Sequence, residues 1–306
     1  MLIKSVEEKE PESLKESFPP FILFKKTLFK DVATLPKFIG SILLMLFAPL
    51  MVLLFFNPAY ANQDTSIFNI GIGLAYFMFT SSIIFSIIIS MATAPLISYE
   101  IREGIMLMLI SKPISRTNII LSKFIAVFLF GLIINFLSLS IICLLAYAIF
   151  PFYDILPFFL AIFVYSLMIL IFFECLTIGL SCILRKPRNV LIIPVGFIIF
   201  LFLVFLMFKP MLMLGGEPNN YEKYNLYIFD LSYHFANFFF LLVDNLLKIE
   251  PNIIFVMYGV ARYTEGWDIE YTDYLSPIGS LILLISIATI MFLLGYFYFR
   301  KKDINR

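Results

Sequence analysis

The chain has 306 residues, 61% of them hydrophobic and 14% charged, with a formal net charge of +1. Its mean hydropathy is +0.98. A soluble domain carries about 25% charged residues, so this chain has too few polar groups to cover itself in water, and its solvent is the bilayer. So small a net charge says nothing about an acidic partner, and no nucleic-acid partner is expected.

Residues 1–17 read as a charged tail, with no short apolar run and cleavage site of a signal peptide. Pro19 and Pro20 then open a stretch to Lys37 in which apolar and basic residues alternate. Leu23, Phe24, Leu28 and Val32 can share one helical face, flanked by Lys25, Lys26 and Lys30. That predicts a helix lying in the membrane interface; a plain basic flank is the alternative. Residues 1–38 are thus assigned to a tail and an interfacial helix, and 39–306 to one transmembrane domain.

Six intervals lack Asp, Glu, Lys and Arg: 38–63, 65–99, 124–153, 155–173, 189–208 and 274–299. A helix needs about 20 apolar residues to cross a hydrocarbon core of about 30 Å. Spans are expected near 39–56, 67–93, 121–149, 156–184, 190–208 and 277–299. They are expected to be helices, because lipid offers no partner to a backbone amide. Small residues recur in span two at Ser82, Ser86, Ser90 and Ala94, a spacing that lets helix backbones approach closely. Cys143, Cys175 and Cys182 fall in spans and read as small hydrophobes. Span four contains one acid, Glu174, with Thr177 and Ser181 on its face. Two readings of this polar site stay open: a point on a substrate path or dimer interface, or an interhelical hydrogen bond that fixes packing.

The loop of 209–276 begins with Lys209-Pro210. Within it, 228–248 is amphipathic, with Asp230, His234, Asn237, Asp244 and Lys248 on one side and Phe235, Phe238, Phe239, Leu242 and Leu246 on the other. This segment is expected to lie on, or dip into, the outer leaflet, with His234 on its polar face. Tyr258, Tyr263, Trp267, Tyr271 and Tyr274 suit an aromatic belt.

Orientation follows from Lys and Arg. With the N-terminus inside, segments 1–38, 94–120, 185–189 and 300–306, with Lys123, hold 18 of the 22. The other side holds Lys209, Lys223, Lys248 and Arg262. Both termini are therefore expected in the cytoplasm. The turn Arg185-Lys186-Pro187-Arg188-Asn189 is explained by this rule alone, although a partner contact is an alternative.

The loop after span two reads Tyr99-Glu100-Ile101-Arg102-Glu103-Gly104, then an apolar run from Ile105 to Ile110, then Ser111-Lys112-Pro113-Ile114-Ser115-Arg116, with Lys123 further on. The run is too short to cross a membrane and too apolar to stay in water, so it must lie along the membrane or dock on a protein. This loop resembles that of the ABC-2 type permeases, the membrane subunits of a large class of ATP-binding-cassette exporters. Their pattern is a Glu-rich entry, Glu-x-Gly-Thr, a run of Leu, Ser-x-Pro-x-Ser-Arg and a following Lys. Glu103, Gly104, Ser111, Pro113, Ser115, Arg116 and Lys123 match it. Ile105 replaces the usual Thr, and Leu107 stands where the family often has Glu. The interfacial stretch, six spans and the long loop before the last span also match.

The resemblance implies an all-α polytopic membrane protein with six transmembrane helices and cytoplasmic termini, in an ABC-2, type V exporter-like fold. It implies two paired permease chains, a homodimer or a heterodimer, above two separate ATPase subunits that carry ATP and Mg. Glu100, Arg102, Glu103, Gly104, Ser111, Lys112, Pro113, Ser115, Arg116 and Lys123 would form the ATPase-coupling loop, with the short helix pressed into the ATPase. Export of an unidentified substrate through the plasma membrane follows from the same resemblance.

No Gly-x-x-x-x-Gly-Lys-Ser/Thr loop occurs, so no ATP site of that kind and no cofactor is expected in this chain. His234 is the single histidine, which removes sites needing two imidazoles, and no Gly-x-Ser-x-Gly elbow is present. No catalytic or metal residue is assigned, and the chain is not expected to be an enzyme. Three alternatives remain: a permease-like anchor or regulatory subunit without transport, an ion-gradient-driven transporter, and an intramembrane enzyme using Glu174 and His234.

Overall fold

The computed structural model describes residues 19–55, 73, 75–110, 114–149, 155–213, 220–247, 253–263, 269–272 and 274–301. Six helices are long and apolar enough to cross a membrane: Leu35–Leu54, Ala75–Arg102, Arg116–Ile149, Ile155–Ile183, Pro187–Met213 and Pro277–Lys301. They are numbered here as the first to sixth spans. Several run past the charge-free intervals. The first begins at Leu35 rather than 39, the second reaches Arg102, the third begins at Arg116, and the fifth carries Lys209 to end at Met213. Helical hydrogen bonding does not stop where hydropathy falls, and long basic side chains can keep their charge beyond the apolar zone. The expected start of the second span at 67 lies outside the described residues.

Proline punctuates these helices. Pro95 opens the segment Pro95–Arg102 at its first turn, where its missing N–H costs little. Pro194 and Pro210 sit inside the fifth span, with a π-type stretch Phe200–Val204 between them. The second span begins in the same wide register, Ala75–Phe85. Before the first span, Pro19–Lys26 and the π-type turn Thr27–Val32 lie against the third span. Leu23, Leu28 and Val32 are buried there, and Phe21, Ile22 and Phe29 are exposed, much as the amphipathic pattern required.

The fourth span is the hub, packed on the second, third, fifth and sixth. Its join to the second is made by hydroxyls. Ser81 and Ser166 lie 2.7 Å apart, and Ser82 and Tyr165 2.6 Å. Further down, Thr177 donates to Ser90 at 3.4 Å and Ser181 to the Ala94 carbonyl at 3.1 Å. Ser82, Ser90 and Ala94 therefore form the packing face that their spacing suggested. Its join to the sixth span is made by absence of side chains. A Cβ on Gly179 would overlap the Met291 carbonyl, and one on Gly295 would overlap the Gly179 backbone.

Much of the polar side of the long loop's helix is buried against the rest of the chain. Helix Leu231–Leu246 packs against the fourth and sixth spans. Both of its faces contribute buried residues: His234 and Asn237 on the polar side, Phe235, Phe238 and Phe239 on the apolar side. The two short strands Ala261–Tyr263 and Ile269–Tyr271 pair antiparallel, with Arg262 opposite Glu270. Tyr258 is fully buried and stacks edge-on against Phe77 of the second span, so it builds the core of the loop and not an aromatic belt. Trp267 lies outside the described residues.

The glycine crossing gives a direct test. Gly295→Ala pushes a methyl into backbone, and overpacking of this kind costs about 1–3 kcal/mol. Its thermal unfolding temperature in detergent should fall clearly, whereas Gly196→Ala, which meets open space, should leave it nearly unchanged.

Candidate functional site

The expected coupling loop occupies the end of the bundle where the chain enters and leaves. Glu100 closes the second span on its buried face, while Tyr99 and Arg102 point out. Backbone at Glu103 and Gly104 then turns sharply. Gly104 has φ +73°, in the left-handed region where a side chain is strained. The turn launches the short helix Ile105–Ile110. Met106 is buried in a small apolar cluster with Leu23, Ile97, Ile119 and Phe299. Leu107 and Met108 face outward, Met108 being 69% exposed. Ser111, Lys112 and Pro113 lie outside the described residues.

The residues of the motif fall into two groups. Glu100 and Lys123 form a buried ion pair, and Lys123 also donates to the Leu96 carbonyl. This pair locks the tail of the second span to the third. Ser115 accepts a hydrogen bond from the Asn118 amide at 3.2 Å, capping the start of the third span. Arg116 donates to the carbonyls of Phe299 and Arg300, each at 3.0 Å, and so holds the C-terminal end of the sixth span. A cation there also suits the negative end of the helix dipole. Thr117 and Tyr296 add a hydroxyl contact at 2.9 Å. Arg102 and Glu103, by contrast, pair with each other at 2.8 Å in an exposed position. Glu100, Ser115, Arg116 and Lys123 hold the scaffold; Arg102, Glu103, Leu107 and Met108 form its outward surface.

Among the polar residues of the fourth span, Thr177 and Ser181 are spent on the second, Ser181 also accepting from the Ser98 amide at 3.0 Å just before the loop. Glu174 is fully buried inside the chain. Neither of its oxygens has a hydrogen-bond partner among the described residues, although the Phe128 backbone of the third span lies near. His234 has other partners altogether. Its Nε2 faces the Ile228 carbonyl at 3.0 Å and therefore donates, leaving Nδ1 to accept from Ser280 at 3.0 Å. Asn237 in turn donates to Ser280 at 2.9 Å and to the Leu275 carbonyl at 2.8 Å. The chain Asn237, Ser280, His234 ties the outer helix to the start of the sixth span. Among the described residues, Glu174 and His234 share no hydrogen-bond partner.

A second buried ion pair was not read from the sequence. Lys209, in the last turns of the fifth span, pairs with Asp230. The ammonium also donates to Ser232 and to the Tyr258 carbonyl, both at 2.9 Å. Asp230 accepts from Tyr221 at 2.6 Å, Ser232 at 2.6 Å and the Tyr233 amide at 3.1 Å, the last as the cap of helix Leu231–Leu246. Burial alone would raise the Asp230 carboxyl, but Lys209 and the hydroxyl donors hold it below its ordinary value. Burial pushes the neighbouring Tyr221 phenol well up and the His234 imidazole down. The signal that could have exposed this pair is the helix cap. An acid directly before an amphipathic run marks a helix start, and Lys209 is the single cation between Arg188 and Lys223. Among the described residues no group of His, Cys, Asp and Glu could hold a metal ion.

Two measurements follow from these pairs. Lys123→Ala leaves Glu100 buried without its partner, a change that costs about 3–5 kcal/mol. The thermal unfolding temperature should drop sharply, and the double variant Lys123→Met with Glu100→Gln should recover most of it. The outer loop should also weaken in acid. As pH falls through 6.5, the ordinary value of histidine, the unfolded chain takes up a proton that the folded His234 site resists, so stability is lost below that point. Asp230 acts lower, its contribution being lost as pH falls below 3.8 through its depressed folded value. Limited proteolysis of the loop should be faster at about pH 5.5 than at about pH 7.5, and His234→Gln should flatten the difference.

A family model described as ABC-2 family transporter protein matches residues 29–304, nearly the whole chain. No curated protein matches it.

Proposed function

The chain belongs to the ABC-2 transporter family and is a membrane permease of an ABC transporter, and from that premise we propose that it couples ATP hydrolysis by a separate subunit to export of a substrate. One observation supports this most. The short helix Ile105–Ile110 presents Leu107 and Met108 outward while its flanks are bound to three spans. The Gly104 turn joins it to the second. Ser115 and Lys123 join it to the third, and Arg116 to the sixth. A push on that helix is therefore delivered to half of the bundle at once.

In this reading the Lys- and Arg-rich end faces the cytoplasm, and both termini lie there. The ATPase, carrying ATP and Mg, docks on the outward surface made by Arg102, Glu103, Leu107 and Met108. Closure of two ATPases presses the helices of two permease chains, paired as a homodimer or heterodimer. The membrane is the plasma membrane, which the chain crosses several times.

The test is co-purification from the native host in mild detergent. The chain should bring down an ATPase in stoichiometric amount. Leu107→Asp with Met108→Asp should lower its recovery at least tenfold, a loss of about 1.4 kcal/mol or more in binding, with the permease's own thermal stability preserved. Full retention of the ATPase by this double variant would overturn the docking site.

A further inference from the structure

At the basic end, a cavity of about 280 Å³ opens between the first and second spans, with Val32 and Phe130 closing its back. One wall is a single helical stripe of the first span: Lys37, Gly40, Ser41 and Leu44. Residues at such spacings share one face, and seven residues of helix rise about 10 Å. Met91 of the second span forms part of the opposite wall. The polar and apolar parts are segregated. Lys37 is exposed, Ser41 lies one turn along the same helix, and the other lining side chains are apolar.

The slot opens sideways. Leu44 and Met91 are exposed, and a Cβ on Gly40 would meet nothing within 4 Å. Lys37 donates one hydrogen bond, to the Asp31 carbonyl at 2.6 Å. An ammonium has three donors, so it can still take an anion. Lys25, Lys26 and Lys30 are exposed on the adjoining segment beside the exposed Phe21, Ile22 and Phe29. Asp31 is the one acid in 19–55.

We propose that this slot binds one anionic phospholipid of the leaflet at the basic end, its phosphate on Lys37 and the upper part of one acyl chain along Gly40, Ser41 and Leu44. Charge complementarity selects the occupant. An exposed cation lining an apolar groove, flanked by further cations at membrane-surface height, matches an acidic headgroup above a hydrocarbon chain. The volume holds a segment of one chain and not a whole lipid, so the rest of the molecule stays in the bilayer.

The full-length chain, purified in detergent, is offered phosphatidylglycerol and phosphatidylcholine in equal amounts, and retained lipid is counted by native mass spectrometry. Phosphatidylglycerol should be retained about fivefold over phosphatidylcholine, the factor worth one lysine at a membrane surface. Lys37→Gln keeps a donor for the Asp31 carbonyl but removes the charge, and should abolish the preference; Lys37→Arg should keep it. Gly40→Leu fills the slot and should reduce retention of both lipids. Thermal stability in lipid-free detergent should be the same for all four chains, which separates loss of lipid from loss of fold. Equal retention of the two lipids by the native chain would overturn the proposal, as would an undiminished preference in Lys37→Gln. So would disulfide-linked dimers of Gly40→Cys, which would place a second copy in the slot.

Discussion

A charge can be buried in a bilayer-embedded bundle only if its opposite is buried with it, because desolvation otherwise costs several kcal/mol per ion. This fold meets that constraint twice, once at each end. Glu100 and Lys123 pair at the basic end, Asp230 and Lys209 at the other. In each case one partner belongs to a membrane span and the other to the beginning or end of a helix that must be held in a fixed place. Lys123 holds the tail of the second span, from which the Gly104 turn and the short helix Ile105–Ile110 spring. Lys209 holds the first residue before the outer helix. The two lysines are the points at which the loops are fastened to the spans, so the geometry of both loops follows from them.

Between these fastenings the bundle is assembled on the fourth span by two different means. Toward the second span it offers hydroxyls, which are satisfied in a medium without water by bonding to one another. Toward the sixth it offers Gly179 to Gly295, and backbone meets backbone. Hydroxyl pairs can exchange partners along a helix face; a glycine crossing cannot shift without collision. The fourth and sixth spans are thus the rigid part, joined further by the outer helix through Ser280. The second span, with its π-type stretch and Pro95, and the fifth, with Pro194 and Pro210 on either side of a π-type stretch, carry the features at which helices kink.

The spans and their number were legible in the sequence because the bilayer imposes a length on every apolar run. Leu23, Leu28 and Val32 were legible as one buried face because a helix repeats every 3.6 residues. The helix Leu231–Leu246 was legible as an amphipathic helix, but the partners of its polar side were not. Its polar side, Asp230, His234 and Asn237, looks like a face for water. Each of these residues in fact finds a partner from a distant part of the chain: Lys209, Ser280 and the Leu275 carbonyl. Periodicity reports that one face is polar, but whether water or another polar group satisfies it depends on contacts far apart in sequence. The same limit hid the Gly179–Gly295 crossing, since two single glycines carry no period.

The coupling loop shows what a motif can mean once its residues are placed. A resemblance assigns the whole stretch from Glu100 to Lys123 to one task, contact with a partner. The structure divides it. Glu100 and Lys123 are turned inward and join the second span to the third, Ser115 caps the third span, and Arg116 holds the sixth. Among the described residues, Arg102, Glu103, Leu107 and Met108 make up an outward surface. In the proposed function, that division suits a transmission element. A surface that binds but is loosely held would yield under a push, and a rigid loop with no apolar surface would receive none. Here a few exposed apolar side chains ride on a turn whose two ends are anchored by buried charge and capped helices, so force applied to the former has nowhere to go but into the latter.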